Sequence, residues 1–223
     1  VDAPGASFDA ARARAFVLAQ TAVLPVPHVP EIRLHQADEA HDLWLRTEEE
    51  LAAIGIEPPF WAFAWAGGQA LARYVLDHPE TVLGAEVLDF ASGSGLVACA
   101  AAMAGAAHVL AVDVDPFAGE AMRLNAELNG VALGVLVADL VGTGIGAEVV
   151  LAGDVFFDRG MATTVAPWLA RLAGEGRTVL VGDPGRAYLP KSRLEHLATY
   201  EVPVTRALED AEIKHTSVWC WRG

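Results

Sequence analysis

The chain is short of the residues that build several common classes of protein. Its 223 residues include 2 cysteines, Cys99 and Cys220, far apart and each inside an apolar stretch. That excludes a disulfide scaffold and a zinc site of the usual Cys/His spacing, and both positions read as buried free thiols of a reducing compartment. Basic residues are scarce too, with 15 Lys and Arg against 29 Asp and Glu and a formal charge of −14. Nucleic-acid binding rests on cations that neutralise phosphates, so this balance argues against nucleic acid and towards a basic protein surface as partner. No apolar run reaches the roughly 18 residues of a membrane span, and Val1-Asp-Ala-Pro-Gly5 lacks the basic and apolar regions of a signal peptide. We therefore expect no membrane partner and a soluble, cytoplasmic protein. Internal repeats and low-complexity tracts are absent as well.

What is present is a chain of 53% apolar residues, long enough for one sizeable core and short for two. Its organising stretch is Glu86-Val-Leu-Asp-Phe-Ala-Ser-Gly-Ser-Gly-Leu-Val-Ala98, an Ala-rich helical run, then His108-Val-Leu-Ala-Val-Asp113. Apolar strand, glycine loop, helix and second apolar strand make one βαβ unit, and such units place ligands at the carboxyl ends of their strands. Gly93 and Gly95 let the backbone turn tightly and approach a ligand, while Asp113 can take two ribose hydroxyls. The ligand therefore carries a nucleoside. Gly93-Ser-Gly95-Leu-Val-Ala98 also fits the dinucleotide pattern G-x-G-x-x-G/A with an acid about 20 residues on. Asp89, ahead of Gly93, decides between them: a carboxylate there repels a pyrophosphate and suits a sulfonium.

Taken in order, the spacing predicts an amphipathic helix over Ser7 to Val23 with Ser7 as N-cap, ended by Pro25, Pro27 and Pro30. A short strand over Glu31 to Gln36 and a helix opening at Thr47-Glu-Glu-Glu50 complete an N-terminal cap, residues 1–58, on a main unit of residues 59–223. Phe60, Trp61, Phe63 and Trp65 crowd the start of a helix from about Gly68 to Asp77, where aromatic faces can hold a cation. Gly67 and Gly68 suggest close backbone approach to a ligand or a neighbouring segment. A helix is expected over Pro116 to Asn129, strands over Val135 to Asp139, Glu148 to Asp154 and Arg177 to Gly182, and helices over Met161 to Leu172 and Lys191 to Ala198. Tyr200 to Thr205 and Thr216 to Trp221 should pair as an antiparallel hairpin because only a loop separates them.

Asp89, Gly93 and Gly95 stand in a D-x-x-x-G-x-G arrangement that resembles the first motif of the class I S-adenosylmethionine-dependent methyltransferases. The run Pro59-Phe-Trp-Ala-Phe-Ala-Trp-Ala-Gly-Gly-Gln-Ala-Leu-Ala-Arg-Tyr-Val-Leu76, the loop Leu88 to Gly95 and Gly153-Asp-Val-Phe-Phe-Asp158 resemble the protein lysine methyltransferases with a D-x-x-F/Y motif. Within these, the likeness is to the electron-transfer flavoprotein β-subunit lysine methyltransferases, from about Leu34 to Trp219. The resemblance implies an α/β, Rossmann-like seven-stranded fold, a parallel sheet with a C-terminal antiparallel hairpin and an N-terminal helical cap. It implies S-adenosylmethionine as cofactor and, as substrate, lysines near the recognition loop of the flavoprotein β subunit, up to the trimethylated state. The cofactor set becomes Trp65, Gly68, Asp89, Ala91, Gly93, Gly95, Asp113, Val114, Asp139 and Gly153, with Asp139 meeting the adenine amino group. Asp154 and Phe157 become the catalytic pair facing the lysine, with Trp61 as a further substrate wall. Two departures stand out: Ala91 replaces a frequent glycine, which suggests a backbone set slightly farther from the cofactor, and Phe157 replaces a common tyrosine, which removes a hydroxyl.

Other readings remain open at this level. The acceptor could be a small-molecule amine or another protein. A nicotinamide-dependent oxidoreductase would need a substrate domain and a proton donor, and Tyr188 and Lys191 are one residue too close for a Y-x-x-x-K pair.

Overall fold

In the computed structural model, which describes residues 9–38, 43, 46, 58–204 and 212–223, the chain begins with α1 (Ala10–Ala19). Asp9 is its cap, accepting the N–H groups of Ala11 and Arg12 at 3.1 Å. The expected helix to Val23 is therefore too long, because Val23 lies in β1 (Ala22–Val26), paired antiparallel with β2 (Val29–Gln36) in the register Val23↔His35. Hairpin pairing wins over helical spacing here, helped by Pro25, which cannot extend a helix. Ser7, Phe8 and the Thr47 to Glu50 helix start lie outside the described residues. The hairpin is fastened by side-chain amides, with His35 N–H on Asn125 Oδ1 at 2.8 Å and Arg33 N–H on Asn129 Oδ1 at 3.0 Å.

The main unit runs α2 (Ala66–Asp77), β3 (Glu86–Phe90), α3 (Leu96–Met103), β4 (His108–Asp113), α4 (Pro116–Asn129), β5 (Gly134–Val137) and β6 (Val149–Gly153). It continues with α5 (Arg159–Gly174), β7 (Thr178–Asp183), β8 (Leu194–Pro203) and β9 (Ile213–Trp221). These strands form one 7-stranded sheet in the order β5-β4-β3-β6-β7-β9-β8. β3 to β7 are parallel, and β9 returns antiparallel between β7 and β8. The α/β fold with its C-terminal hairpin matches the sequence reading. α4 illustrates why the helices sit where expected: Pro116 occupies the first turn, Asp115 accepts the Phe117 N–H at 2.8 Å, and Gly130 ends the helix at φ 65°.

One expected element changes type. Lys191 to Ala198 is not a helix but a short 3₁₀ turn, Lys191–Arg193, leading into β8. Leu194 and Leu197 are three apart, which suggests one face of a helix; in the strand they fall on opposite faces and join different apolar clusters. Pairing with β9, as in Leu194↔Trp221, decides the matter.

Two apolar layers hold the sheet. On one face Leu71, Val75, Val97 and Met122 of α2, α3 and α4 pack against Val87, Val109, Leu151 and Leu180. On the other, Val165, Trp168, Leu169 and Leu172 of α5 cover Leu88, Val112, Val150 and Val181. Each fully buried side chain of this size contributes roughly 1.5–3 kcal/mol relative to exposure. Among the described residues no helix is long and apolar enough to cross a membrane. For function the decisive point is topological: the chain leaves β3 outward to β4 and β5, then crosses back to β6 on β3's other side. The reversal opens a crevice at the carboxyl ends of β3 and β6, where sheets of this kind bind ligands.

Candidate active site

The first wall of the crevice is the turn between β3 and α3. It needs three left-handed residues, Ala91 (φ 52°), Gly93 (φ 54°) and Gly95 (φ 81°). Gly95 starts α3 against Met122, whose Cγ would stand 3.3 Å from an added Cβ. Ala91 takes up the glycine-like left-handed conformation itself, at about 1–2 kcal/mol. Two carboxylates hold the turn. Asp113 accepts the Gly93 N–H on Oδ2 at 2.8 Å and the Asp115 N–H on Oδ1 at 3.0 Å, so the end of β4 and the glycine turn are joined as the sequence implied.

Asp89 is 1% exposed, and its Oδ2 accepts the Ser92 hydroxyl at 2.5 Å and the Ala98 N–H at 3.0 Å. The carboxyl thus braces the turn and the first turn of α3 from beneath through Oδ2. Burial pushes its pKa up to about 7, opposed by those two hydrogen bonds. Around this wall Val114 is 67% exposed, and Asp139 is exposed beyond β5 with Oδ1 accepting the Val141 N–H at 2.9 Å. The parallel pairing of β4 with β5 puts Asp139 at the same sheet edge as Asp113.

The second wall is made by β6, β7 and the N-terminus of α2. Backbone meets backbone here: a Cβ on Gly67 would lie 2.3 Å from the Gly182 oxygen, and one on Gly153 would lie 2.9 Å from Gly68 Cα. The close approach foreseen at Gly67 and Gly68 is therefore to the chain itself, and Gly153 is part of the same contact. Asp154, in a left-handed conformation (φ 58°), directs its carboxylate at the helix start. Oδ2 accepts the Gly68 N–H at 2.8 Å, and Oδ1 pairs with Arg186 Nη2 at 3.2 Å. Burial raises the Asp154 pKa to about 6, opposed chiefly by Arg186 and then by the α2 N–H groups.

Three residues after Asp154, Phe157 brings an exposed ring to the aromatic segment ahead of α2. Phe157 (44% exposed) and Phe60 (46% exposed) have centroids 5.4 Å apart, and Trp65 meets Phe60 at 5.8 Å. The Trp65 indole N–H donates to the Phe60 carbonyl at 2.8 Å, which fixes the segment ahead of α2. Trp61, expected as a substrate wall, is instead core: it is 1% exposed and stacks on Phe117 with planes at 14°. Its neighbour Phe60 takes the outward place, since the 3₁₀ turn Phe60–Ala62 faces alternate rings in and out. Phe60, Arg186 and Asp183 were not singled out by sequence reasoning. Phe60 lay in the aromatic cluster without a signal to separate it from Trp61, and Arg186 follows the turn Asp183-Pro-Gly185 with nothing in spacing to connect it to Asp154.

These residues fit a bound adenosylmethionine: glycine backbone beside an acid at the end of β4, an exposed apolar Val114, a further acid at Asp139, and the Asp154 carboxylate at the end of β6. A seven-stranded sheet of this order carrying that site defines a class I S-adenosylmethionine-dependent methyltransferase.

Residues 69–155 match the family model of ribosomal protein L11 methyltransferase (PrmA). The chain is 40% identical over 213 residues, 92% of this chain and 85% of the relative, to the electron transfer flavoprotein beta subunit lysine methyltransferase of Xenopus laevis. To the Homo sapiens protein of that name it is 36% identical, over 81% of this chain and 68% of the relative. It belongs to the electron transfer flavoprotein beta subunit lysine methyltransferase family. The fold is shared with magnesium protoporphyrin IX methyltransferase of Synechocystis with bound SAM, at TM-score 0.53 and 13% identity, covering 84% of this chain and 100% of that one.

Proposed function

We propose that this enzyme transfers methyl groups from S-adenosylmethionine to lysine side chains of the electron transfer flavoprotein beta subunit, near its recognition loop. The observation that carries the reading is the Asp154 carboxylate at the end of β6, fixed by the Gly68 N–H and Arg186 and followed in the chain by the exposed Phe157 ring that meets Phe60, across from the joined Gly93 and Asp113. The substrate assignment is supported by the names of the relatives, and a protein in preference to a nucleic acid by the net charge of −14. A cytoplasmic setting is supported by the free thiols Cys99 and Cys220.

In this reading Asp113, Gly93, Val114 and Asp139 hold the adenosine part, with Asp89 keeping the turn in shape from within. The cofactor supplies a methyl group on a positively charged sulfur. The residues of this chain then have two tasks, alignment and charge control. Phe60, Phe157 and Trp65 strip water from the acceptor side chain and hold it in line, which is where most of the rate comes from in a displacement with no covalent enzyme intermediate. A lysine has a reference pKa of about 10.4 and reacts only as the free amine, so one Nζ proton must pass to bulk water before the lone pair forms the nitrogen–carbon bond as the carbon–sulfur bond breaks. Apolar rings favour that loss, and Asp154 orients the amine.

The test is mass spectrometry of the flavoprotein beta subunit incubated with S-adenosylmethionine and either wild-type enzyme or Asp154→Asn. Wild type should add methyl groups to lysine, and the variant should lose the activity while binding the cofactor normally. An Asp154→Asn enzyme working at the wild-type rate would remove Asp154 from the acceptor site.

A further inference from the structure

The second wall holds a charged group that the reaction as described above does not use. Arg186 sits in the connection between β7 and β8, and its position is built rather than incidental. Asp183, the last residue of β7, is fully enclosed, and its Oδ1 accepts the N–H groups of Gly185 at 2.6 Å and Arg186 at 2.7 Å. β7 is itself clamped between β6 and β9. The turn that results carries the Arg186 side chain back to the crevice, where Nη2 meets Asp154 Oδ1 at 3.2 Å.

Asp154 is thereby held from two sides, with Oδ2 on the Gly68 N–H of α2 and Oδ1 on the guanidinium. We propose that Arg186 is a positioning residue for methyl transfer: it fixes the orientation of the Asp154 carboxylate and cancels its charge, so that the acceptor amine is oriented without being retained as its ammonium. The inference rests on the reading of Asp154 as facing the acceptor.

The charges around Asp154 support it. From α2 come the N–H groups of Gly67 and Gly68, and the first turn of that helix has no acidic side chain. From β7 comes Asp183, whose own pKa is raised by burial and lowered in turn by the backbone N–H groups of Arg186 and Gly185 and then by the charges of Arg186 and Lys191. From the β7–β8 connection comes the cation of Arg186. Without that cation, a buried Asp154 has two ways to relieve its charge. It takes up a proton and stops orienting the amine, or it keeps an incoming ammonium as counter-ion, stabilising the ground state more than the transition state. Either way, turnover then requires a higher pH.

The experiment measures kcat against pH for wild type, Arg186→Gln and Arg186→Lys, with cofactor affinity by calorimetry and a thermal melt for each. Glutamine removes the charge, while the backbone N–H that binds Asp183 stays. The acid limb of the Arg186→Gln profile should move alkaline by about 1 pH unit or more, the size expected of an opposite charge at this range. Cofactor affinity should stay within about twofold of wild type, since the first wall is untouched. Arg186→Lys keeps the charge and should keep the wild-type limb. A wild-type limb in Arg186→Gln overturns the proposal, and so does an Arg186→Lys limb displaced by a unit, which keeps the test decisive should the glutamine variant fail to fold. If Asp154→Asn retains wild-type activity in parallel, it is the reading of Asp154 that fails, and the two failures are told apart.

Discussion

The two walls of the crevice are built on opposite plans. The turn after β3 is a backbone loop in left-handed conformations held by carboxylates, Asp113 from the next strand and Asp89 from below. The wall at the end of β6 is a packing of glycine backbones, Gly67 on Gly182 and Gly153 on Gly68, with Asp154 and the Arg186 guanidinium set into it over the buried Asp183. The first suits a ligand met by main chain and ribose-binding acid. The second suits a site where one charge must be aimed, because rigid backbone contacts leave the Asp154 side chain little freedom. A division between cofactor and acceptor follows from this difference in construction.

The largest expected effects test that division by crossing it. Asp154→Asn should lower kcat on the order of 100-fold through lost orientation while leaving the cofactor Kd nearly unchanged. Asp113→Asn should do the reverse, raising the cofactor Kd about 10-fold or more through a lost charge-assisted contact, as calorimetry would record. Equal effects of both variants on both quantities would erase the distinction. Next in size, Gly67→Ala would force a Cβ to 2.3 Å from the Gly182 oxygen and 2.6 Å from Asp154 Oδ2. Overpacking of this kind destabilises by roughly 1–3 kcal/mol, readable in a denaturant melt.

Smaller effects belong to the first wall. Asp89 has its pKa raised from 3.8 to about 7 on folding, so between those values the folded chain holds a proton that the unfolded chain has released. Its contribution to stability therefore falls as pH rises through that window. Asp89→Asn carries no such charge, and its melting temperature relative to wild type should climb from pH 5 to about pH 8. A constant difference would mean that Asp89 titrates normally. Smallest is Ala91→Gly, which relieves the left-handed alanine at φ 52° and should stabilise by about 1 kcal/mol.

What the sequence made legible follows the same line between the walls. Strands β3 and β4, the glycine turn and Asp113 are close in sequence, and their patterns are local, so their juxtaposition could be read from one βαβ unit. Asp89 was found as the acid ahead of the turn, but position on a strand does not reveal that its hydrogen bonds run to Ser92 and Ala98. The Asp154 wall joins residues far apart in the chain, α2, β6 and β7 with Arg186, and no spacing rule connects them. Trp61 and Phe60 show the limit most plainly: adjacent aromatics of equal appeal in sequence, one turned into the core on Phe117 and one into the crevice beside Phe157. The same holds for Leu194 and Leu197, whose spacing fits a helix until pairing with β9 settles it.

The most direct measurement is the intact mass of purified electron transfer flavoprotein beta subunit after incubation with this enzyme and S-adenosylmethionine, followed by peptide mapping. The account predicts mass added in whole methyl units, confined to lysines, and abolished by Asp154→Asn. An unchanged mass with catalytically competent, cofactor-bound enzyme, or methyl groups on residues other than lysine, would contradict it.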